Sequence, residues 1–559
     1  MSSEMSPPKV PTLFQTLAFF KSVKPTLGSG AFYMTPKMVP GLLKTLLRWK
    51  FAVSGLIRLG AQRYPDRLAL VDDYGELTYT ELDAQNERLA RALMDRGLTS
   101  KSAFGVIARN GRGIIQPMAV KGFTGAEIML MNIGSSIQQI EGIIEQNNVS
   151  FLFIDDEFLD RAPLDREGLT IVVTAIDDPA TRDFAKKHDN VLLMEDLIAE
   201  GGKTELEHKP EQGRIIIMSS GTTGLPKGVL RNEPKTPATI GAIADRIPWR
   251  RNLTVHQSAS MFHAWGWANV IIAMVTGATL ITMRRFDPNK MVDQCEKYQA
   301  NAIISAAIFL RQFKDSLDKR PESKVGPFEF IVSSGNAIPG WLVSALTHRF
   351  GPVVCNFYGS TEAGVTSIAS GPELALRPES AGRPTLSTCV RILDEDGKEV
   401  PRGTVGLLHT AQELSFIGYL NPKDKFQTVD GLFQIGDLAR MDEEGYLYIC
   451  GRADDMVIKG GENVFPREIE ELLGPIPGIG DIYCRGMQND EIVADLYLYI
   501  VRDSSKQGQD LTAEMLQDYC RENLADHSVP DKVFFVDRLP RNAVGKVVPR
   551  EIDKMMGEH

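Results

Sequence analysis

Long apolar runs are missing from this chain of 559 residues. None approaches the roughly 20 consecutive apolar positions that a bilayer-spanning helix requires. The first eight residues are polar and lack the charged segment and apolar core of a secretory signal. Cysteine is scarce, with six residues at Cys295, Cys355, Cys389, Cys450, Cys484 and Cys520. None falls in a CxxC pair, which speaks against a zinc ribbon or a disulfide framework and for free thiols in a reducing compartment. The expected location is the cytosol, and the chain is expected to be cytoplasmic. Cationic charge does not dominate: 62 Lys and Arg face 72 Asp and Glu, a net charge of −10. Clustered cations are what a phosphate backbone needs, so no nucleic acid partner is expected. A Walker A loop is also absent. The single Gly-Lys-Thr, at 202–204, has Leu197 where the first glycine should stand, so a P-loop kinase or GTPase is disfavoured.

The first sixty residues are short of acid: Glu4 stands alone against Lys9, Lys21, Lys24, Lys37, Lys44, Arg48, Lys50 and Arg58. Apolar residues interleave with these cations at helical spacing over residues 39–51. The ordinary reading is a helix packed on the body with Lys and Arg in water. The other reading is a helix lying in a membrane interface. Beyond residue 60 the length requires more than one core. Short apolar runs at 68–73, 103–108, 127–131, 151–154, 171–174, 214–218, 278–282, 303–304 and 328–332 alternate with helical patterns, which predicts an α/β fold with parallel sheets sandwiched by helices. After about residue 384, short strands with Gly or Asp turns predict a β-rich subdomain. The last hundred residues read as a small α+β unit, and residues 504–509 as a polar loop. The expected division is an extension at 1–60, a large domain at 61–452 and a mobile lid domain at 453–559.

The most informative segment, at 218–228, reads Met-Ser-Ser-Gly-Thr-Thr-Gly-Leu-Pro-Lys-Gly and follows an apolar strand. Gly221 and Gly224 let the backbone aim successive N–H groups at an anion. Ser219, Ser220, Thr222 and Thr223 add hydroxyl donors, and Lys227 adds charge. This combination suits a polyphosphate.

With this loop the chain resembles the adenylate-forming superfamily of acyl-CoA synthetases, luciferases and adenylation domains. Other motifs recur in the superfamily's order. Phe-Tyr-Gly-Ser-Thr-Glu-Ala-Gly at 357–364 is similar to its Tyr-Gly-x-Thr-Glu motif. The resemblance implies that Tyr358 stacks on adenine beside Gly359, that Thr361 meets the α-phosphate and that Glu362 holds Mg²⁺. Gly335, Asn336 and Ala337 resemble the adenine loop. Asp437 matches the ribose-binding aspartate, although Ile435 replaces the usual threonine. Arg452 would bind ribose or phosphate, Asp454 would be the hinge, and Gly460 with Gly461 would line the thiol tunnel. Lys546, in Pro-Arg-Asn-Ala-Val-Gly-Lys at 540–546, resembles the mobile catalytic lysine. His263 stands where the superfamily has an aromatic residue or histidine near the acyl carboxylate.

The implied activity uses ATP and Mg²⁺ to join a carboxylic acid to AMP, releasing pyrophosphate, and then transfers the acyl group to the thiol of coenzyme A. The acyl pocket is expected around Trp265, Gly266 and Trp267, with Ile308, Phe309, Leu310, Val332 and Val365 as further walls. No Lys or Asp in these stretches is placed for an ammonium or a second carboxylate. The expected substrate is a medium- or long-chain fatty acid. Transfer to an acyl carrier protein in place of coenzyme A is the alternative, and a non-catalytic acyl-lipid-binding protein is a third reading.

Overall fold

The structure is a computed structural model that describes residues 10–31, 33–219, 227–231, 238–412, 416–421, 423–459, 462–489, 493–542 and 545–557. The described residues build two large sheets. One has nine strands, with Ala302–Ser305, Phe330–Ser333 and Val354–Ser360 at its centre. The other has eight, with Glu127–Leu130, Ala103–Ile107 and Val149–Ile154 at its centre. The central strands run parallel and are buried on both faces, which is why they read as unbroken apolar runs.

Alternation along each strand assigns neighbouring residues to different layers. Ile304 and Val332 point into a core shared with Val106, Ile128 and Ile217 of the other sheet. Helices Val53–Arg63, Tyr79–Met94, Arg112–Thr124 and Ala264–Thr276 contribute to that same core and lie between the sheets. Ile303 and Ile331 point the opposite way, onto Leu310, Phe313 and Leu342. Met129 and Ile216 likewise meet Ile140 and Ile144 on the far side of the second sheet. The result is helix, sheet, helix, sheet, helix. Each fully buried Leu, Ile or Phe contributes roughly 1.5–3 kcal/mol, so the layering is set by the apolar pattern.

A five-stranded sheet that includes Gly406–Gln412 and Leu432–Met441 forms the β-rich subdomain. The carboxy-terminal unit is a three-stranded sheet of Ile479–Asn489, Val493–Arg502 and Lys532–Phe535, packed by helices Pro466–Leu473 and Ala513–Asn523. It docks on the large domain. Arg311 donates to the Ile479 carbonyl at 2.6 Å, and Arg467 donates to the Ile449 carbonyl at 3.0 Å.

Several readings change. Helix Val53–Arg63 runs through position 60, and Leu56, Ile57 and Leu59 sit in the central core, so the chain is already integrated before that position. The polar stretch at 504–509 contains a short helix, Lys506–Asp510, because the Ser505 hydroxyl accepts the Gly508 N–H at 3.1 Å and caps it. Strand Thr254–Gln257 escaped the apolar pattern because it buries His256 and Gln257. Leu310 and Val332 are fully buried, Val332 in the central core and Leu310 on the opposite face of the nine-stranded sheet. All six cysteines are free.

Candidate active site

Parallel α/β sheets present their ligand-binding groups beyond the carboxyl ends of the strands. The candidate residues follow that rule. His263 comes after Thr254–Gln257, Ile308 after Ala302–Ser305, Asn336 after Phe330–Ser333, and Thr361 with Glu362 after Val354–Ser360. The strands are adjacent and parallel, so the four loops open on one edge.

The phosphate loop joins Ile215–Ser219 to a returning antiparallel strand, Lys227–Arg231, with Ser219 opposite Lys227. Ser220, Gly221, Thr222, Thr223 and Gly224 lie outside the described residues, as do Gly460, Gly461 and the side chain of Ser219. At the loop's described end, Lys227 Nζ lies 3.6 Å from Asp424 and 5.2 Å from the Tyr419 ring centre. The Tyr419 hydroxyl donates to Glu362 Oε1 at 3.2 Å.

Arg231 was not anticipated. It is half-buried, and its Nε donates to the Thr361 carbonyl at 3.0 Å. Burial pushes its guanidinium down to about 10, while the Glu362 carboxylate pulls the other way. The signal in the sequence was a lone cation four positions after Lys227, on the strand that returns from the loop. Arg231 thus pins the backbone that carries Thr361 and Glu362.

Tyr358 donates its hydroxyl to Asp437, which also meets Arg452 Nη1 at 3.3 Å. Burial first, and the Asp437 carboxylate second, raise the phenol well above its ordinary value. Arg452 in turn holds Asp454 at 3.0 Å, so the groups expected at the ribose and at the hinge form one network. Gly359 is a packing glycine, since a Cβ there would strike the Gly364 carbonyl. Gly335 has φ of +88°, a conformation that favours glycine, and it sits exposed with Ala337 beside half-buried Asn336.

The carboxy-terminal unit delivers Lys546 to this edge. Arg541 anchors its loop by donating to the Gly545 carbonyl at 2.6 Å and to Asp481 at 2.7 Å. Gly545 lies so close to the large domain that a Cβ would meet Ile308 Cγ2 at 2.5 Å and Asn336 Nδ2 at 3.5 Å. Lys546 acts on His263 through space: burial, and then this ammonium, hold the imidazole down to about 3. His263 is neutral at pH 7, and its enclosed Nε2 has no hydrogen-bond partner among the described residues. Asp455 near the hinge also feels Lys546.

Of the three expected pocket residues, Trp265 packs at a tilt against Phe357, ring centres 4.1 Å apart, next to Tyr358. Trp267 instead packs into the central core, and Gly266 admits no side chain because a Cβ would strike the Ser260 carbonyl. No cluster of three or more metal-binding side chains exists among the described residues. A single carboxylate, Glu362, fits a magnesium ion held chiefly by substrate phosphates.

Residues 57–420 match the AMP-binding enzyme family, and residues 468–546 match the AMP-binding enzyme C-terminal domain. The chain belongs to the AMP-binding enzyme family, within the adenylate-forming superfamily. It is similar to the 2-succinylbenzoate–CoA ligase of Geobacillus sp. (strain WCH70), with 26% identity over 88% of this chain and 95% of that one. It is also similar to the indoleacetate–CoA ligase of Aromatoleum aromaticum, with 26% identity over 89% of this chain and 95% of that one. Among solved structures, the anthranilate CoA ligase AuaEII in complex with anthranoyl-AMP shares the fold, with a TM-score of 0.80 and 20% identity over 90% of this chain and 97% of that one.

Proposed function

We propose that the protein is an AMP-forming ligase that activates a carboxylic acid with ATP and transfers the acyl group to the thiol of coenzyme A. The observation that carries this reading is the placement of Lys546. A loop of the small domain packs Gly545 onto Ile308 and Asn336 and sets the lysine within electrostatic reach of neutral His263. This is where an anionic carboxylate and an anionic α-phosphate would meet, and a cation there offsets the repulsion between them.

In the first half-reaction a carboxylate oxygen attacks the α-phosphorus. The bond to the bridging oxygen breaks, and pyrophosphate leaves. Tyr358, Asp437 and Arg452 would hold the nucleoside, while Lys227 and the loop before it would hold the β- and γ-phosphates. Thr361 and Glu362 would face the α-phosphate, on backbone pinned by Arg231. Mg²⁺ held by Glu362 and the phosphates would supply further charge neutralisation. In the second half-reaction a thiol sulfur attacks the acyl carbon, the acyl–phosphate bond breaks, and AMP leaves with the electron pair. A rotation of residues 453–559 about Asp454 would withdraw Lys546 between the halves and bring Gly460 and Gly461 to the thiol.

A medium- or long-chain fatty acid is the favoured substrate, since Trp265, Phe357 and neutral His263 offer no charged partner to a second polar group. An aromatic acid is the second reading. It draws on the relatives named for 2-succinylbenzoate and indoleacetate. Pyrophosphate release is measured with palmitate, laurate, benzoate, 2-succinylbenzoate and indoleacetate, with and without coenzyme A. Faster release with the fatty acids supports the first reading, and faster release with the ring acids the second. AMP release that ignores coenzyme A but follows an acyl carrier protein would replace the acceptor. No release with any acid would sink the ligase reading.

A further inference from the structure

Helix Thr12–Gly28 is turned inside out. Its buried residues are Ala18, Ser22 and Thr26, small or polar side chains one turn apart. That face sits on helix Ala238–Ala244. The approach is close, because a Cβ on Gly241 would strike Thr26 and Ser22. The large apolar side chains point the other way. Leu13, Leu17, Phe20 and Leu27 are 73%, 50%, 67% and 62% exposed. Their spacing of four, three and seven places them in one stripe along the helix. A core-facing helix has the reverse arrangement, so the stripe is directed at something outside the chain.

Charge says what that something is. No acidic residue occurs between Glu4 and Asp66. Lys24 lies within the stripe and Lys21 at its edge, and Lys37, Lys44 and Lys50 follow, all exposed. No ion pair joins any of these five to a described residue. Helix Val39–Trp49 buries Leu42, Thr45 and Trp49 but exposes Leu43 and Leu47 between the cations. At the end of the stripe, Leu27 lines a cavity of about 700 Å³ together with Tyr33, Met34, Arg250 and Arg251. Arg250 is paired with Glu329, and Arg251 lies 3.8 Å from the Tyr33 ring centre.

We propose that helix Thr12–Gly28 is a docking face for an anionic lipid surface. Leu13, Leu17, Phe20 and Leu27 would enter the acyl boundary while Lys21, at the stripe's edge, and Lys24, extending its chain out of the stripe, meet the headgroups. A second copy of the chain fits less well, because stripe-to-stripe pairing about a two-fold axis would bring these cations near their own equivalents with no carboxylate to answer them. The helix lies on the surface and does not span it: no helix among the described residues is long and apolar enough to cross a membrane.

The full chain is sedimented with phosphatidylcholine vesicles, with or without about a third phosphatidylglycerol, at low and high salt. Binding should require the anionic lipid and weaken with salt. Leu17→Glu/Phe20→Glu should bind roughly tenfold less or weaker still, and Lys21→Glu/Lys24→Glu should lose the dependence on anionic lipid. Both variants should keep the thermal midpoint of the parent, since the altered side chains are exposed. Parent protein that ignores the vesicles, or a stripe variant that binds as the parent does, overturns the proposal. So does self-association that Leu17→Glu/Phe20→Glu abolishes in the absence of vesicle binding, which would assign the stripe to a second copy.

Discussion

Replacing Gly545 by alanine tests the docked lysine loop more cleanly than removing the lysine. Two costs arise. Gly545 has φ of +80°, and alanine in the left-handed region costs about 1–2 kcal/mol. That strain travels with the loop and cancels between docked and withdrawn states if the local turn persists. The second cost exists only when the loop is docked, because the new Cβ would stand 2.5 Å from Ile308 Cγ2. Overpacking of this kind costs about 1–3 kcal/mol, and about 1.4 kcal/mol is a factor of ten in rate. Acyl-dependent pyrophosphate release by Gly545→Ala should therefore fall roughly 10- to 100-fold. Thioester formation from supplied acyl adenylate should be unchanged, since the proposed rotation would withdraw Lys546 in that step. Ile308→Ala in the Gly545→Ala background removes the obstructing methyl and should restore most of the first half-reaction, a coupling absent from either single variant. Equal losses in both half-reactions, or no recovery in the double variant, would refute the docking geometry.

Lys546→Ala should abolish adenylation and spare the thioester step, read by the same two assays. Arg231→Met removes the donor that holds the Thr361 carbonyl at 3.0 Å and should lower kcat/KM for MgATP roughly 10- to 100-fold, with a raised magnesium requirement in a metal titration. Tyr358→Phe deletes the hydroxyl donated to Asp437; at about 1 kcal/mol for the lost bond, KM for ATP should rise roughly fivefold in initial-rate measurements. His256 is buried, and burial holds its imidazole down to about 4, below its ordinary 6.5. The unfolded chain binds the proton first as pH falls, so stability is full above pH 6.5 and is lost between 6.5 and 4. From pH 7.5 to 5 this one group should cost ~2 kcal/mol, seen as a lower urea midpoint, and His256→Gln should flatten that slope. His263 lies lower still, at about 3, so kcat/KM should show no break from it between pH 6 and 8.

Much of the architecture was legible because its signals are local. The paired sheets came from apolar runs buried on both faces, and the nucleotide motifs from short strings whose turns need glycine. Arg231 was not legible. Its position four residues after Lys227 is the one local signal, and its role depends on a carbonyl 130 positions away. Trp265 and Trp267 read alike in the string, and only the structure shows Trp265 against Phe357 and Trp267 buried in the core that Phe357 also joins. The five-residue helix at 506–510 was hidden because its cap residue is as common in loops.

The amino-acid order by itself determined the layered α/β class, the motifs of nucleotide activation and the cationic, acid-poor amino terminus, because each is carried by residue type and period over a few turns. Only the tertiary structure decided that Gly545 rests on Ile308 and brings Lys546 to His263, that Arg231 grips Thr361, and that helix Thr12–Gly28 shows its apolar side to the outside. Those facts are contacts between segments far apart in the chain. Which face of a helix is buried depends on what it meets, and a run of residues does not contain its own neighbour.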